Sequence, residues 1–502
     1  MNKKIILLIT LCVCSISLTY SQFNDKYWVL GRHTGLDFST GTGIPDSNQV
    51  NINSLWSTST SICDRQGKLI CWSDGFTVYD KNSDTMPNGS NFNHSTFGNQ
   101  YIQNGNGNPL IKGAVIIPNP ADTNKLFMFY ADFEYEQNGP QGPSSYIPSQ
   151  VRCLEIDRSL HGGLGDVTFK DSVLMQQDSL DDGNIFAIRH GNGKDWWVLF
   201  RKFHSNIYYK ILIDSSGINP IQTQAIGSPY LINYVYQGVG NVSEDGTKIA
   251  YTDFCFNSSL AVYPGQIDVL DFDRCTGNLS NYKKITQPVS DTIFFAAVCI
   301  SPNNRYLYGH TGDKMYQLDL QSTNPWANKI LVAKWDSSKT PFPSIFWHMR
   351  NWNDGKIYVG CYGSNYFMHV INNPDGFGMA CNFVQKQLYF GYTNSITHYH
   401  YVDSGLPNTP NFALGAIAPC GNVGVEEVKE EELKIKNLYG VGEVLQIPIN
   451  HIQIKLYNTL GQQVYENNNY NNTFILHEKG LFIYTMYNTA TNQWHSGKLE
   501  VQ

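Results

Sequence analysis

The chain has 502 residues, with 35 Lys+Arg against 42 Asp+Glu and a formal net charge of −7. No basic stripe runs along it, which excludes the electrostatic footprint of a nucleic-acid binder. Charged residues make up 15% and aromatic residues 13%, a balance that suits a β-rich extracellular protein and not a disordered chain.

The N-terminus reads as an export signal. Lys3 and Lys4 precede an apolar run from Ile5 to Leu18, and Thr19-Tyr20-Ser21 supplies small residues for cleavage after Ser21. Residues 1–21 are therefore expected to be a signal peptide. The run is shorter than the ~20 residues of a membrane helix, and no later segment reaches that length. The protein is expected to be secreted or surface-held, not membrane-spanning. Eleven cysteines less Cys12 and Cys14 leave nine, an odd number that cannot all pair. Candidate pairs are Cys63 with Cys71 across "CDRQGKLIC", Cys255 with Cys275, and Cys361 with Cys381. The bland alternative is buried free thiols. No Cys or His cluster has zinc-site spacing.

Residues 22–420 lack long helical patterns. A turn–strand–turn–strand unit recurs instead, in "CDRQGKLICWSDGFTVYD", "HGNGKDWWVLFRKFHSNIYYKILID", "SEDGTKIAYTDFCFN" with "GQIDVLDFD", "SPNNRYLYGHTGDKMYQLDL" and "NWNDGKIYVGCYGSNYFMHVIN". A weaker copy lies in "NPADTNKLFMFYADFEY" with "VRCLEIDR". Each copy opens with a Gly or Asn turn, runs into an apolar or aromatic strand, reverses, and ends a further strand near an Asp, as at Asp319. Copies recur every ~50–70 residues, the period of propeller blades with loop insertions. The expectation is an all-β propeller of about seven blades, six being the other count. "YWVLGRHTGLDFS" and the late "QKQLYFGYTNS" are the candidates to close a seventh. In order, "WVLGRHTGLDFSTG", "KGAVIIPNP", "LHGGLGDV", "ISPNNRYLYG", "NDGKIYVG", "VINNPDGFGMACNF" and "GLPN" resemble a family of secreted propeller-type proteins that often carry type IX sorting tails. The resemblance implies the fold and no catalytic residue.

Residues 421–434, "GNVGVEEVKEEELK", read as an acidic linker. Residues 435–502 form a small β unit, with alternating strands expected at Ile452–Tyr457, Leu481–Tyr487 and Lys498–Val501. "IKLYNTLGQQVYE", "GLFIYTMYN" and the terminal "GKLEVQ" resemble the C-terminal sorting domain of type IX secretion cargo. The resemblance implies a β-sandwich recognised by the type IX machinery, and export through the periplasm.

Several clusters could carry chemistry. His398 and His400 in "THYHY" share one face of a strand and lack a third metal ligand. Asp271 and Asp273 lack the Gly and Glu of a calcium loop and read better as a strand end and turn. "GHTGD" reads as a hairpin turn and not a nucleophile elbow. Arg189 and His190, with Arg201 and His204, sit on adjacent strands of one unit, and Trp347, His348 and Arg350 precede another hairpin. These seven are the candidate binding residues. Trp347 and Trp352 read as either packing or a sugar-stacking platform. No carboxylate pair of a glycosidase can be picked out. No catalytic residue, metal ligand or cofactor is assigned. The expected function is a secreted or cell-surface binding protein with a glycan or protein ligand. The alternatives are a polysaccharide hydrolase or lyase, and a structural component of a secreted assembly.

Overall fold

The structure is a computed structural model. It describes residues 23–46, 54–95, 98–132, 135–136, 145–146, 148–176, 180, 184–230, 238–253, 264–291, 293–337, 342–391, 400–417, 420, 438–446, 451–467, 473–475, 477–488 and 493–502. The leader and linker expected at 1–21 and 421–434, His398 and Cys255 lie outside them. The chain divides into two compact units, Met1–Cys420 and Gly421–Gln502.

The first unit is a ring of seven antiparallel sheets. Blade one holds Tyr27–Gly31, Thr34–Asp37 and Ile44–Asp46. Blade two holds Thr60–Asp64, Leu69–Ser73 and Val78–Asp80, with Phe23–Asn24 beside Thr60–Asp64. Blade three is Ala114–Pro118, Lys125–Ala131, Val151–Asp157 and Asp166–Met175. Blade four is Phe186–Arg189, Trp196–Arg201 and Ile207–Asp214, with Gly217–Ile218 and Gln222–Ala225 outside. Blade five is Asn241–Val242, Lys248–Thr252, Gly265–Phe272 and Leu279–Gln287. Blade six is Ala297–Ile300, Tyr306–His310, Lys314–Asp319 and Ile330–Lys334. Blade seven is Phe346–Trp352, Lys356–Cys361, Phe367–Ile371 and Phe383–Tyr389.

Apolar clusters fill the interfaces between blades. One joins blades two, three and four. Others join four to five, five to six and six to seven. Trp28, Leu36 and Phe38 of blade one pack on Tyr358, Met368 and Val370 of blade seven. Val29 of blade one packs on Trp72 of blade two and completes the circle. Each sheet thus buries both faces against its neighbours, which no single blade achieves alone.

Local chemistry explains why the blades form. The first hairpin of a blade is tied by an Asp or Asn whose Oδ1 accepts backbone N–H groups two residues on. Asp64, Asn119, Asn192, Asp245, Asn303 and Asp354 all do this. In four of these hairpins a glycine takes the left-handed conformation that the turn requires, at Gly67, Gly193, Gly246 and Gly355. The Asp at or just after the third strand does the same for the next turn. It is Asp37, Asp80, Asp157, Asp214, Asp273 and Asp319 in six blades. Asp273 is therefore a turn residue, and Asp271 pairs with Lys248. In "GHTGD" the Thr311 N–H bonds the Lys314 carbonyl, and the stretch is a hairpin turn.

Ring closure departs from expectation. The Gln385–Tyr389 portion of "QKQLYFGYTNS" is in the outer strand of blade seven and not beside "YWVLGRHTGLDFS", and its residues 392–395 lie outside the described residues. Backbone at Tyr401–Asp403 runs beside Tyr27–Gly31 instead. The Tyr401 N–H bonds the Arg32 carbonyl at 3.3 Å and the Asp403 N–H bonds the Leu30 carbonyl at 2.9 Å. Blade one therefore joins both ends of the ring's sequence. The chain then continues along the axis: Asn408 N–H bonds Ser59 O, and its Nδ2 donates to Ala114 O at 2.9 Å and Ile185 O at 2.6 Å.

The cysteines pair differently from the candidates. Cys275 is bonded to Cys420, 145 residues away, and not to Cys255. Cys63, Cys71, Cys361 and Cys381 are buried free thiols. Cys63 and Cys71 are not directly opposite, because a register shift places Cys71 against Ile62 and Cys63 against Leu69.

The second unit holds a five-stranded sheet. Its order is Leu438–Tyr439, Gln493–Val501, Gly480–Asn488, His451–Tyr457 and Gln463–Asn467. A two-stranded sheet pairs Val444–Gln446 with Thr473–Ile475. Leu445, Ile454, Leu456, Phe482, Met486 and Leu499 form its core. The three expected strands are all present, the last starting earlier, at Gln493.

Candidate functional site

Inner strands of the ring begin on one face, called upper here, and end on the lower face. Antiparallel pairing in blade four sets Phe186 against Leu199 and Arg189 against Trp196. Arg189 and His190 therefore lie at the lower end, and Arg201 and His204 at the upper end. The structure does not bring the four together.

Each of the four is engaged. Arg189 Nη1 donates to Phe412 O at 2.8 Å, and its guanidinium lies 5.6 Å from the Trp196 ring centre. His190 Nε2 donates to Cys275 O at 2.8 Å, while Nδ1 accepts the Asn192 N–H. Both steady the chain where it leaves the axis towards the Cys275–Cys420 bond. Arg201 is 1% exposed, 3.4 Å from Asp268 and 3.7 Å above the Tyr230 ring. His204 takes a left-handed turn conformation, and its ring stacks on Phe203 at 4.0 Å. His400, the described half of the "THYHY" pair, bonds the His33 carbonyl through Nδ1 at 2.9 Å. No group of three or more His, Cys, Asp or Glu could hold a metal ion among the described residues.

Trp347, His348 and Arg350 share the inner strand of blade seven and do different things. Register shifts between Phe346, opposite Cys361, and Met349, opposite Val359. Trp347 and His348 are thus two residues facing one, a β-bulge, the device by which a strand re-aims side chains. Their rings stack 5.6 Å apart. Trp347 is half-buried and meets the exposed Tyr362 edge-on at 4.9 Å. His348 is buried, and burial lowers its pKa to about 3, helped by the Lys112 ammonium. Arg350 is at the lower end, in a buried pair with Asp25. Trp352 is packing: it stacks on Phe38 at 4.1 Å.

The upper face over blades seven, one and two carries three aromatic pairs. Trp347 meets Tyr362, Phe342 meets Tyr366 at 6.4 Å, and Trp56 meets Tyr101 at 5.4 Å. Phe342, Tyr362 and Trp56 are 50%, 46% and 42% exposed. Asp403 links this arc. Its Oδ2 accepts the Leu55 N–H at 2.6 Å and its Oδ1 the Ser364 hydroxyl at 3.2 Å. Burial raises its pKa to about 7. Aromatic faces beside polar loop groups suit the stacking of sugar rings or apolar side chains of a partner.

At the starts of blades three, four and five, polar side chains serve the inner-strand edges. Asn184 bonds Gly238 O and Gly240 N–H, Asn241 Nδ2 donates to Met349 O at 2.7 Å, and Lys112 Nζ donates to Gly240 O at 2.7 Å. With Asn408 they satisfy backbone groups that a neighbouring strand would otherwise take. Of these only Lys112 left a trace in sequence, as a lone charge in "LIKGAVII".

No family model matches the chain, and no curated protein matches it. Among solved structures, PorZ is described as an essential bacterial surface component of the type-IX secretion system of human oral-microbiomic Porphyromonas gingivalis. It aligns over 95% of this chain and 75% of its own at 10% identity, with a TM-score of 0.29. The Dos1 propeller aligns over 73% of this chain and 79% of its own at 12% identity, with a TM-score of 0.37. The β-propeller domain of Myceliophteria thermophila Cps50 (Swd1) aligns over 76% and 96% at 8% identity, with a TM-score of 0.30. At these identities and TM-scores no residue role passes to this chain.

Proposed function

We propose that this is an exported binding protein of the cell surface or its surroundings, with a glycan or protein ligand held on the upper face over blades seven, one and two. The observation that carries this reading is the set of aromatic pairs, each with an exposed ring, held by a bulge and by loops on the ring. Residues 1–21 act as a signal peptide, and residues 435–502 are the address read by the type IX machinery. The sorting-tail reading rests on the "IKLYNTLGQQVYE" and "GKLEVQ" resemblance and is independent of the ligand.

A polysaccharide and glycan array probed with the purified protein tests the ligand reading, scoring retention and release of new sugar ends. Retention without release is expected, weakened by Trp347→Ala and Trp56→Ala. Release of sugar ends would make the chain an enzyme instead. Removal of residues 435–502 is expected to leave the protein in the periplasm; unchanged secretion would refute the sorting role.

A further inference from the structure

The ring axis holds a second feature on its opposite side. A cavity of about 60 Å³ opens among the lower hairpins, lined by Lys112, Asn241, Asp25 and Arg350 inside and by Glu244 and Asn353 at the rim. We propose that this cavity binds a small carboxylate, with the Lys112 ammonium as its anchor.

Charge balance within the cavity supports this. Arg350 already has its counter-ion, Asp25, at 2.6 Å. Lys112 is only 5% exposed, and its ammonium donates to neutral acceptors, Gly240 O at 2.7 Å and Asn241 Oδ1 at 3.2 Å. Among the described residues no carboxylate lies within ion-pairing distance of it. A buried cation without a counter-charge is costly, and an incoming anion removes that cost. Two of the three ammonium donors are used, which leaves one for a ligand oxygen. Glu244 at the rim, raised to about 7, is ionised above that pH and there disfavours a dianion, so at pH 8 a carboxylate fits better than a phosphate. The volume is far below the roughly 300–1,000 Å³ of drug-sized sites, so the ligand is an acid of two or three carbons.

The neighbouring groups set the pH dependence. Burial lowers Lys112 to about 7 and raises Glu244 to about 7. Cys299 of blade six is pushed up to about 12 and His348 of blade seven down to about 3, so both stay neutral between pH 5 and 9. Asp25 and Arg350 remain paired. Above pH 7 Lys112 loses its proton and Glu244 becomes negative, and both changes oppose an anion. From the lysine alone, affinity should be ~10-fold weaker at pH 8 than at pH 6.

The test is calorimetric titration of the purified protein with acetate, glycolate and inorganic phosphate at pH 6 and pH 8. Saturable acetate or glycolate binding is expected, ~10-fold tighter at pH 6, with proton uptake at pH 8 seen as heats that depend on the buffer. Lys112→Met should weaken binding at least ~10-fold while the protein stays folded by circular dichroism. Should that variant not fold, Asn353→Trp at the mouth should block binding by bulk. No saturable carboxylate binding at pH 6, tighter binding of phosphate than of acetate at pH 8, or full binding by either folded variant would overturn the proposal. None of these outcomes bears on the aromatic upper face.

Discussion

Asp25 and Arg350 are 325 positions apart in the chain, and Arg350 Nη2 lies 2.6 Å from Asp25 Oδ2. The same guanidinium donates to Pro407 O at 2.5 Å and Thr409 O at 2.9 Å, and sits 4.4 Å from the Trp28 ring centre. One side chain thus ties the start of the ring, its last blade and the axial segment together. Burial raises Asp25 and lowers Arg350 to about 10, while their contact opposes both shifts.

Removing one partner leaves the other charge buried and alone. Arg350→Met and Asp25→Asn are each expected to cost about 3–5 kcal/mol. The double change Asp25→Leu with Arg350→Met should recover part of that loss. Denaturant unfolding of the three variants checks this; equal losses in the single and double variants would contradict it.

Two tryptophans on one strand should behave oppositely. Trp352 is 7% exposed and stacked on Phe38, so Trp352→Ala should cost about 3–5 kcal/mol. Trp347 sits on the bulge at the upper face, and Trp347→Ala should lower ligand retention with a smaller loss of stability. Thermal melts beside the array readout separate the two.

Cys275 and Cys420 close a loop of 145 residues at the point where the chain leaves the axis. Changing both to Ser should cost about 2–4 kcal/mol. Non-reducing peptide mapping should find this link, and Cys63, Cys71, Cys153, Cys299, Cys361 and Cys381 should resist alkylation until the protein unfolds. Their burial raises all six thiols, which keeps them unreactive.

Asp253 should give the ring an alkaline weakness. Its Oδ1 accepts the Gln266 N–H at 2.6 Å, but burial raises its pKa from 3.8 to about 8. Between those values the folded state holds a proton that the unfolded state has released. This contribution to stability is therefore greatest below pH 4 and falls as pH rises to 8. Asp253→Asn should remove the dependence and stabilise the protein at pH 8 relative to wild type. A series of melts from pH 5 to 9 on both proteins decides it.

The sequence by itself determined the local pieces. Hairpin turns at Asp64, Asn192, Asp245, Asn303 and Asp354, and the strands that follow them, rest on contacts within a few residues. Turn chemistry and alternation therefore exposed the blades, their repeat and the strands of the second unit. Wrongly read were the closing strand and the cysteine pairs, and Arg189, His190, Arg201 and His204 proved to lie at opposite ends of their blade. Those depend on which distant segments meet. Only the tertiary structure decided that Tyr401–Asp403 closes blade one, that Cys420 finds Cys275, and that Trp347 and His348 form a bulge. It also placed the Lys112 ammonium against Gly240 O and Asn241 Oδ1. Such features arise because seven sheets must satisfy their inner edges around one axis, a constraint that no short window of sequence contains.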